Sequence, residues 1–166
     1  MCNRPFANVD EMNDALIVNW NAVVGEDDEI YILGDLLYKG SGQKANSIFR
    51  QLNGKKYLIK GNHERYLDNP HFDASVFEWV KEYYELDYKD ARFILFHFPI
   101  LEWAHFWRKS VHLYGHNHRP RKSVSEEWDR RAINVAVDVN GFRPISANEI
   151  YEKAFPASES EIIGLS

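Results

Sequence analysis

The chain has 166 residues, a formal net charge of −5 and one cysteine, Cys2. That length suits a single domain over residues 1–166, large enough to bury roughly two thirds of its unfolded surface without disulfides, and a lone cysteine fits a reducing cytoplasm. No charged, apolar leader opens the chain, and runs such as "ALIV" and "FILF" fall far short of the roughly 18 residues of a membrane span, so a cytoplasmic protein with no membrane partner is expected.

Residues 8–24 predict a helix. Asn8 with Glu11 three positions on is a capping-box pattern, and Met12, Leu16, Ile17, Trp20, Val23 and Val24 make one apolar stripe, read as core. The acidic "GEDDE" is a loop into "IYILGD", a short apolar run ending in glycine and Asp35. A second helix over residues 43–52, with Ile48, Phe49 and Leu52 inward, leads to "KYLIKGNHE", where another run ends in Gly61, Asn62 and His63. Strand, helix, strand is the signature of a parallel βαβ unit.

Residues 82–87 and 92–96 flank "KDA" and predict an antiparallel hairpin, whose second arm, "RFILFHFP", ends in His97. A short aromatic helix is expected over residues 101–107. Its Trp103, Phe106 and Trp107 are read first as core and second as a substrate wall. "VHLYGHNH" is another buried strand, ending in His116 and His118, and "AINVAVD" is one more. "SANEIYEKAF" closes the chain as a helix, with Ser146 and Glu149 in capping-box register. The domain is expected to be α/β at its front and more antiparallel behind.

Four runs thus deliver Asp, Asn or His at their carboxyl ends, the edge where open α/β sheets bind ligands. A histidine pair at one strand end commonly just faces solvent. A carboxylate, an amide and several imidazoles converging from four strands are instead a ligand inventory for Zn, Mn, Fe or Co, since Ca and Mg prefer oxygen throughout. With Cys2 far off in sequence, a thiolate-type structural zinc site is not expected. The basic residues are scattered apart from "RPRK" at residues 119–122. A nucleic-acid-binding module therefore ranks third among the functions considered, and no broad nucleic-acid-binding face is expected.

"GD" (Gly34, Asp35), "GNHE" (residues 61–64), a lone histidine after an apolar strand (His97) and "GHNH" (residues 115–118) resemble, in order and spacing, the calcineurin-like metallophosphoesterases. The flanking "CNRPF", "MNDALIVNWN", "HFPILEW" and "NVAVDVNGFRPI" resemble a small bacterial or phage branch of that family. The resemblance runs over nearly the whole chain. It implies a four-layer αββα sandwich with two divalent transition-metal ions (Mn, Fe, Zn, Co or Ni) at the carboxyl edge of the sheets. By the same resemblance Asp35 bridges both ions, Asn62, His97 and His116 complete one, and His118 binds the other. His63 is not a ligand but assists at the phosphate or the leaving oxygen while a metal-activated hydroxide attacks phosphorus. The implied partner is a phosphate-ester small molecule or nucleotide.

One family element has no counterpart here: an opening strand ending in Asp-x-His, which completes the second ion's ligands. Asp10 does not replace it, since it lies in the first turn of the predicted helix. Either the chain begins at an internal methionine, omitting roughly 10 to 25 residues, about a strand and a loop, or it is a natural short form with an incomplete site; the first is favoured. One well-held ion is then expected, with the first strand missing from the sandwich. Two functions follow: a phosphoesterase acting on a diester or monoester, or a catalytically impaired scaffold that keeps metal or protein binding. Arg4 is read either as a phosphate contact or as an exposed loop residue.

Overall fold

The computed structural model describes residues 4–37, 41–119 and 125–156. Cys2 and residues 120–122 of the basic tetrapeptide lie outside them.

Among the described residues, seven strands form two sheets. The first holds β1 (Glu29–Ile32), β2 (Lys55–Ile59) and β3 (Trp79–Lys81), all parallel. The second holds β4 (Tyr83–Tyr88), β5 (Ala91–Phe96), β6 (Ser110–Tyr114) and β7 (Ala132–Asn134). Only β4 and β5 run antiparallel, as the predicted hairpin; β6 and β7 are both parallel to their neighbours. The rear half is thus more antiparallel than the all-parallel front, as expected, but by this one strand pair. The connection from β5 to β6 carries the chain back across the sheet so that the two strands run the same way, which a tight hairpin cannot do.

Strand parity partitions the core. On β5, Phe93 and Leu95 join Val111 and Leu113 of β6, with Leu33 and Ile59 at the ends of β1 and β2, in one cluster. Ile94 and Tyr114 point to the opposite face, among Trp103 and Trp128. Ile32 and Leu58 of the first sheet pack with Trp20, Val24, Ala45, Phe49 and Leu52. Period-two alternation along strands buried on both faces produces these clusters from near-continuous apolar runs. Removing a fully buried ring such as Phe49 should cost about 3–5 kcal/mol.

The helices largely follow the sequence. α1 (Val9–Asn21) is capped by Asn8, which accepts from Glu11 N. Glu11 reaches back to Ala7 N–H instead of closing a full capping box. The expected stripe loses Val23, which is exposed past the helix end, while Trp20 and Val24 are buried. α2 (Gly42–Phe49) is capped by Ser41 and ends short of Leu52, which still packs inward. α3 (Glu126–Arg131) was not anticipated; α4 (Ala147–Ala154) carries the full predicted Ser146–Glu149 capping box.

Two expectations fail. Residues 101–107 are turns, not a helix: Phe106 N–H bonds Trp103 O, Arg108 N–H bonds His105 O, and His105 has φ 61, which no right-handed helix accommodates. "AINVAVD" is strand only to Asn134, whose side chain then accepts from Ala136 N–H and starts a short 3-10 turn over Val137–Val139. That side-chain bond to the backbone competes with the ladder and bends the chain away. Among the described residues no helix is long and apolar enough to cross a membrane.

Candidate metal-binding site

Parallel register brings the strand ends level. β1 and β2 pair Glu29 with Lys55 through Ile32 with Leu58, which puts Asp35 opposite Gly61; β5 and β6 pair Leu95 with Leu113, which puts His97 beside Gly115. Gly115 N–H donates to His97 O at 3.1 Å. The two loops leaving the first sheet are pressed together at Gly34 (φ 83), where a Cβ would lie 2.5 Å from Gly61 N and 2.6 Å from His97 Nδ1. A Cβ on Gly61 would likewise strike the Asp35 carboxylate and lie 2.8 Å from His97 Cε1. Glycine at both positions is thus a demand of the site's own packing.

Four predicted residues converge. His97 is fully buried, and its Nδ1 lies 2.7 Å from Leu33 O; a carbonyl only accepts, so Nδ1 carries the proton. Nε2 therefore faces the site, 3.0 Å from Asn62 Oδ1, 3.3 Å from Asp35 Oδ2 and 3.2 Å from His116 Nδ1. His116 Nδ1 is also 3.1 Å from Asn62 Oδ1. Ligand atoms of Asp35, His97 and His116 all fall within 4.8 Å of one another. Protons on the rings can satisfy some of these acceptor pairs, whereas one divalent cation placed among them would satisfy all four residues at once. Burial, then the neighbouring His97, holds the His116 imidazole below its ordinary pKa, with smaller contributions from His118 and His63 of the same sign. That keeps a ring nitrogen free to ligate.

Asp35 is held from both sides. Its Oδ1 accepts His63 N–H at 2.8 Å, and its own N–H donates to the Glu64 carboxylate. Both Asp35 and His116 adopt left-handed backbone, φ 56 and 61, conformations that a surrounding structure must hold in place. Glu64 is buried, and burial above all raises its pKa despite bonds from Asp35 and Gly61 N–H; its Oε2 lacks a hydrogen-bond partner among the described residues.

His118 stands apart from the compact group. Its side chain is 43% exposed, and Nδ1 lies 2.8 Å from Asp138 Oδ2. Asp138 in turn takes two hydrogen bonds of 2.8 Å from the Arg4 guanidinium. Burial alone would raise the Asp138 carboxyl; the bonds from Arg4 and His118 outweigh it and hold the pKa low. Arg4 is committed to this pair, so of its two anticipated roles the exposed loop residue is corrected: its side chain is 20% exposed.

Sequence reasoning assigned no role to Glu64 or Asp138. Glu64 stands in "GNHE" itself, whereas Asp138 ends "AINVAVD", whose composition predicts strand. The aromatic wall also shifts. Trp103 is core, bonded through Nε1 to Ser110 Oγ, and Trp107 is 79% exposed. The ring that borders the site is Phe98, with centroid distances of 4.7 Å to both His97 and His116.

No protein-family model matches the chain. It is 34% identical over 155 residues to the uncharacterized protein MJ1445 of Methanocaldococcus jannaschii, covering 90% of this chain and 78% of that one. It is 32% identical over 184 residues to the gene 66 protein of mycobacterium phage L5, covering 93% and 86%. This chain belongs to their family. The fold is similar to that of the crystal structure of AQ665, a protein of unknown function from Aquifex aeolicus, with a TM-score of 0.66, 23% identity and coverage of 88% and 87%.

Proposed function

We propose that this family member is a metal-dependent phosphoesterase of the calcineurin-like metallophosphoesterase type, an αββα sandwich working in the cytoplasm on a phosphodiester or phosphomonoester such as a nucleotide. One observation carries the reading: Asp35, Asn62, His97 and His116 turn acceptor atoms toward one point at the strand ends, with the His97 proton committed to Leu33 O. These four would hold one ion, and Asp35 with His118 would offer ligands to a second. Mixed nitrogen and oxygen donors suit Mn, Fe, Zn, Co or Ni. Such ions supply positive charge to phosphate oxygens and make water acidic enough to attack near neutral pH. Asp35 and His116 orient, and His97 anchors the floor. His63, tied to Asp35 through its backbone N–H, holds or delivers a proton at the leaving oxygen.

Elemental analysis after purification in Mn²⁺, combined with turnover of bis(4-nitrophenyl) phosphate and 4-nitrophenyl phosphate, tests the reading. One firmly bound ion is expected, with turnover above background but depressed by orders of magnitude because Asp35 and His118 alone hold the second ion weakly. Bound ion with no turnover of either ester would favour the impaired scaffold, and a chain that takes up no transition metal at all would sink both.

A further inference from the structure

The Arg4–Asp138–His118 chain joins residues 134 and 20 positions apart and forms no part of the compact ligand group. We propose that Asp138 is a positioning residue that sets which nitrogen of His118 is offered to the site. An ionised carboxylate only accepts hydrogen bonds, so the Asp138 oxygen 2.8 Å from His118 Nδ1 requires the proton to sit on Nδ1. Nε2 then keeps its lone pair and is the nitrogen left for a ligand, a division of labour that carboxylate–imidazole pairs behind metal ions commonly show. Arg4 makes the arrangement rigid: its fork takes both carboxylate oxygens, so Asp138 cannot swing to solvent, and the Asp138 side chain is 8% exposed. The early end of β7 serves this geometry. Had the strand run on past Asn134, the 3-10 turn over Val137–Val139 that carries Asp138 would not form.

The inference deepens the proposed function, since it rests on His118 being a site residue, but its first test needs no metal. Long-range ¹H–¹⁵N correlation spectra of the metal-free protein at pH 8 report the tautomer of each imidazole. His118 is expected in the Nδ1–H form, and an Nε2–H or evenly mixed His118 in the parent protein overturns the proposal outright. In Asp138→Asn the amide can donate to Nδ1, which should move His118 toward Nε2–H while leaving His97 in its Nδ1–H form. An unchanged His118 tautomer in that variant also overturns it. Arg4→Met, which leaves Asp138 in place but unclamped, provides a second route if Asp138→Asn does not fold, and should give a mixed His118 tautomer.

Titration with Zn²⁺ alone, followed through ring ¹⁵N shifts, gives the functional readout. Asp138→Asn should raise the Zn²⁺ concentration needed to shift His118 Nε2 by about 10- to 100-fold, with the His97 response unchanged. Equal loss at both rings would assign Asp138 a general structural role instead. Should the parent protein show no Zn²⁺ response anywhere, the phosphoesterase reading fails, while the tautomers still decide the role of Asp138.

Discussion

His97, just past the end of β5, and His112, inside the adjacent strand β6, are both fully buried imidazoles, yet their ring nitrogens meet different surroundings. His112 lies inside β6, with Nδ1 3.2 Å from Ile94 O and Nε2 3.1 Å from Phe98 O, and it accepts from Ile100 N–H at 3.4 Å. Its polar edges meet main chain, and its ring lies against Trp103 and Tyr114. His97 lies one residue past β5, and only Nδ1 is met by a carbonyl; Nε2 looks into a set of side-chain acceptors. Burial alone therefore does not mark a functional histidine. What distinguishes His97 is that its free nitrogen faces side-chain ligand atoms, those of Asp35, Asn62 and His116, where His112 meets only main chain.

Replacing each ring in turn breaks the comparison most sharply. His97→Ala should remove transition-metal binding and lower phosphodiester turnover to background, while His112→Phe should leave bound metal unchanged at a temperature where it stays folded. Elemental analysis of both variants checks this, and retained metal in His97→Ala would contradict the site as drawn. His63→Ala comes next: it should keep the metal but lose about 10²- to 10⁴-fold in kcat on alkyl esters, with a smaller loss on nitrophenyl esters, because a proton matters most to a basic leaving oxygen. Equal losses on both ester types would leave His63 only an electrostatic role.

Glu64 extends the comparison to the support behind the site, through its bond from Asp35 N–H. Glu64→Ala should weaken metal affinity about 10- to 100-fold, and Glu64→Gln, whose amide oxygen can still accept, should weaken it less. Calorimetric titration with Mn²⁺ ranks the two.

The smallest effect belongs to His112. Burial presses its pKa down to about 4, against bonds to Ile94 and Phe98 that pull it up. An unfolded histidine titrates near about 6.5, so between these values the unfolded chain binds more protons than the folded one. The stability from a neutral His112 is thus complete above the ordinary histidine range and is lost as pH falls toward 4. From pH 7 to pH 5 this should amount to about 1–2 kcal/mol, read from urea unfolding of the parent against His112→Phe, whose profile should be flatter by that amount.

Much of the fold was legible because its signals are local. Ser146 and Glu149 cap α4 through neighbours three residues apart, and short apolar runs ending in Gly34, Gly61 and His97 mark where strands stop and polar groups emerge. Such patterns depend on backbone geometry over one or two turns, and no distant contact is needed to produce them. The aromatic stretch at residues 101–107 misled for the same reason: helical spacing was present, but Trp103 and Ser110 bond across the segment and His105 turns left-handed, which only the packed sheet imposes.

Local pattern alone puts Asp35, Asn62, His97 and His116 at strand ends, since each follows a short apolar run, directly or after a glycine. Which of two neighbouring buried histidines turns a nitrogen toward Asp35, Asn62 and His116, and which meets main chain, depends on tertiary packing. Parity says that His112 and Leu113 point to opposite faces but not what lies on either face. The pairing of Arg4 with Asp138, and of Asp35 with Glu64, likewise depends on where chain ends and loops meet in space. Contacts across 134 and 29 positions leave no period in the sequence, because what brings those groups together is the parallel register of the sheets and the turn that ends β7.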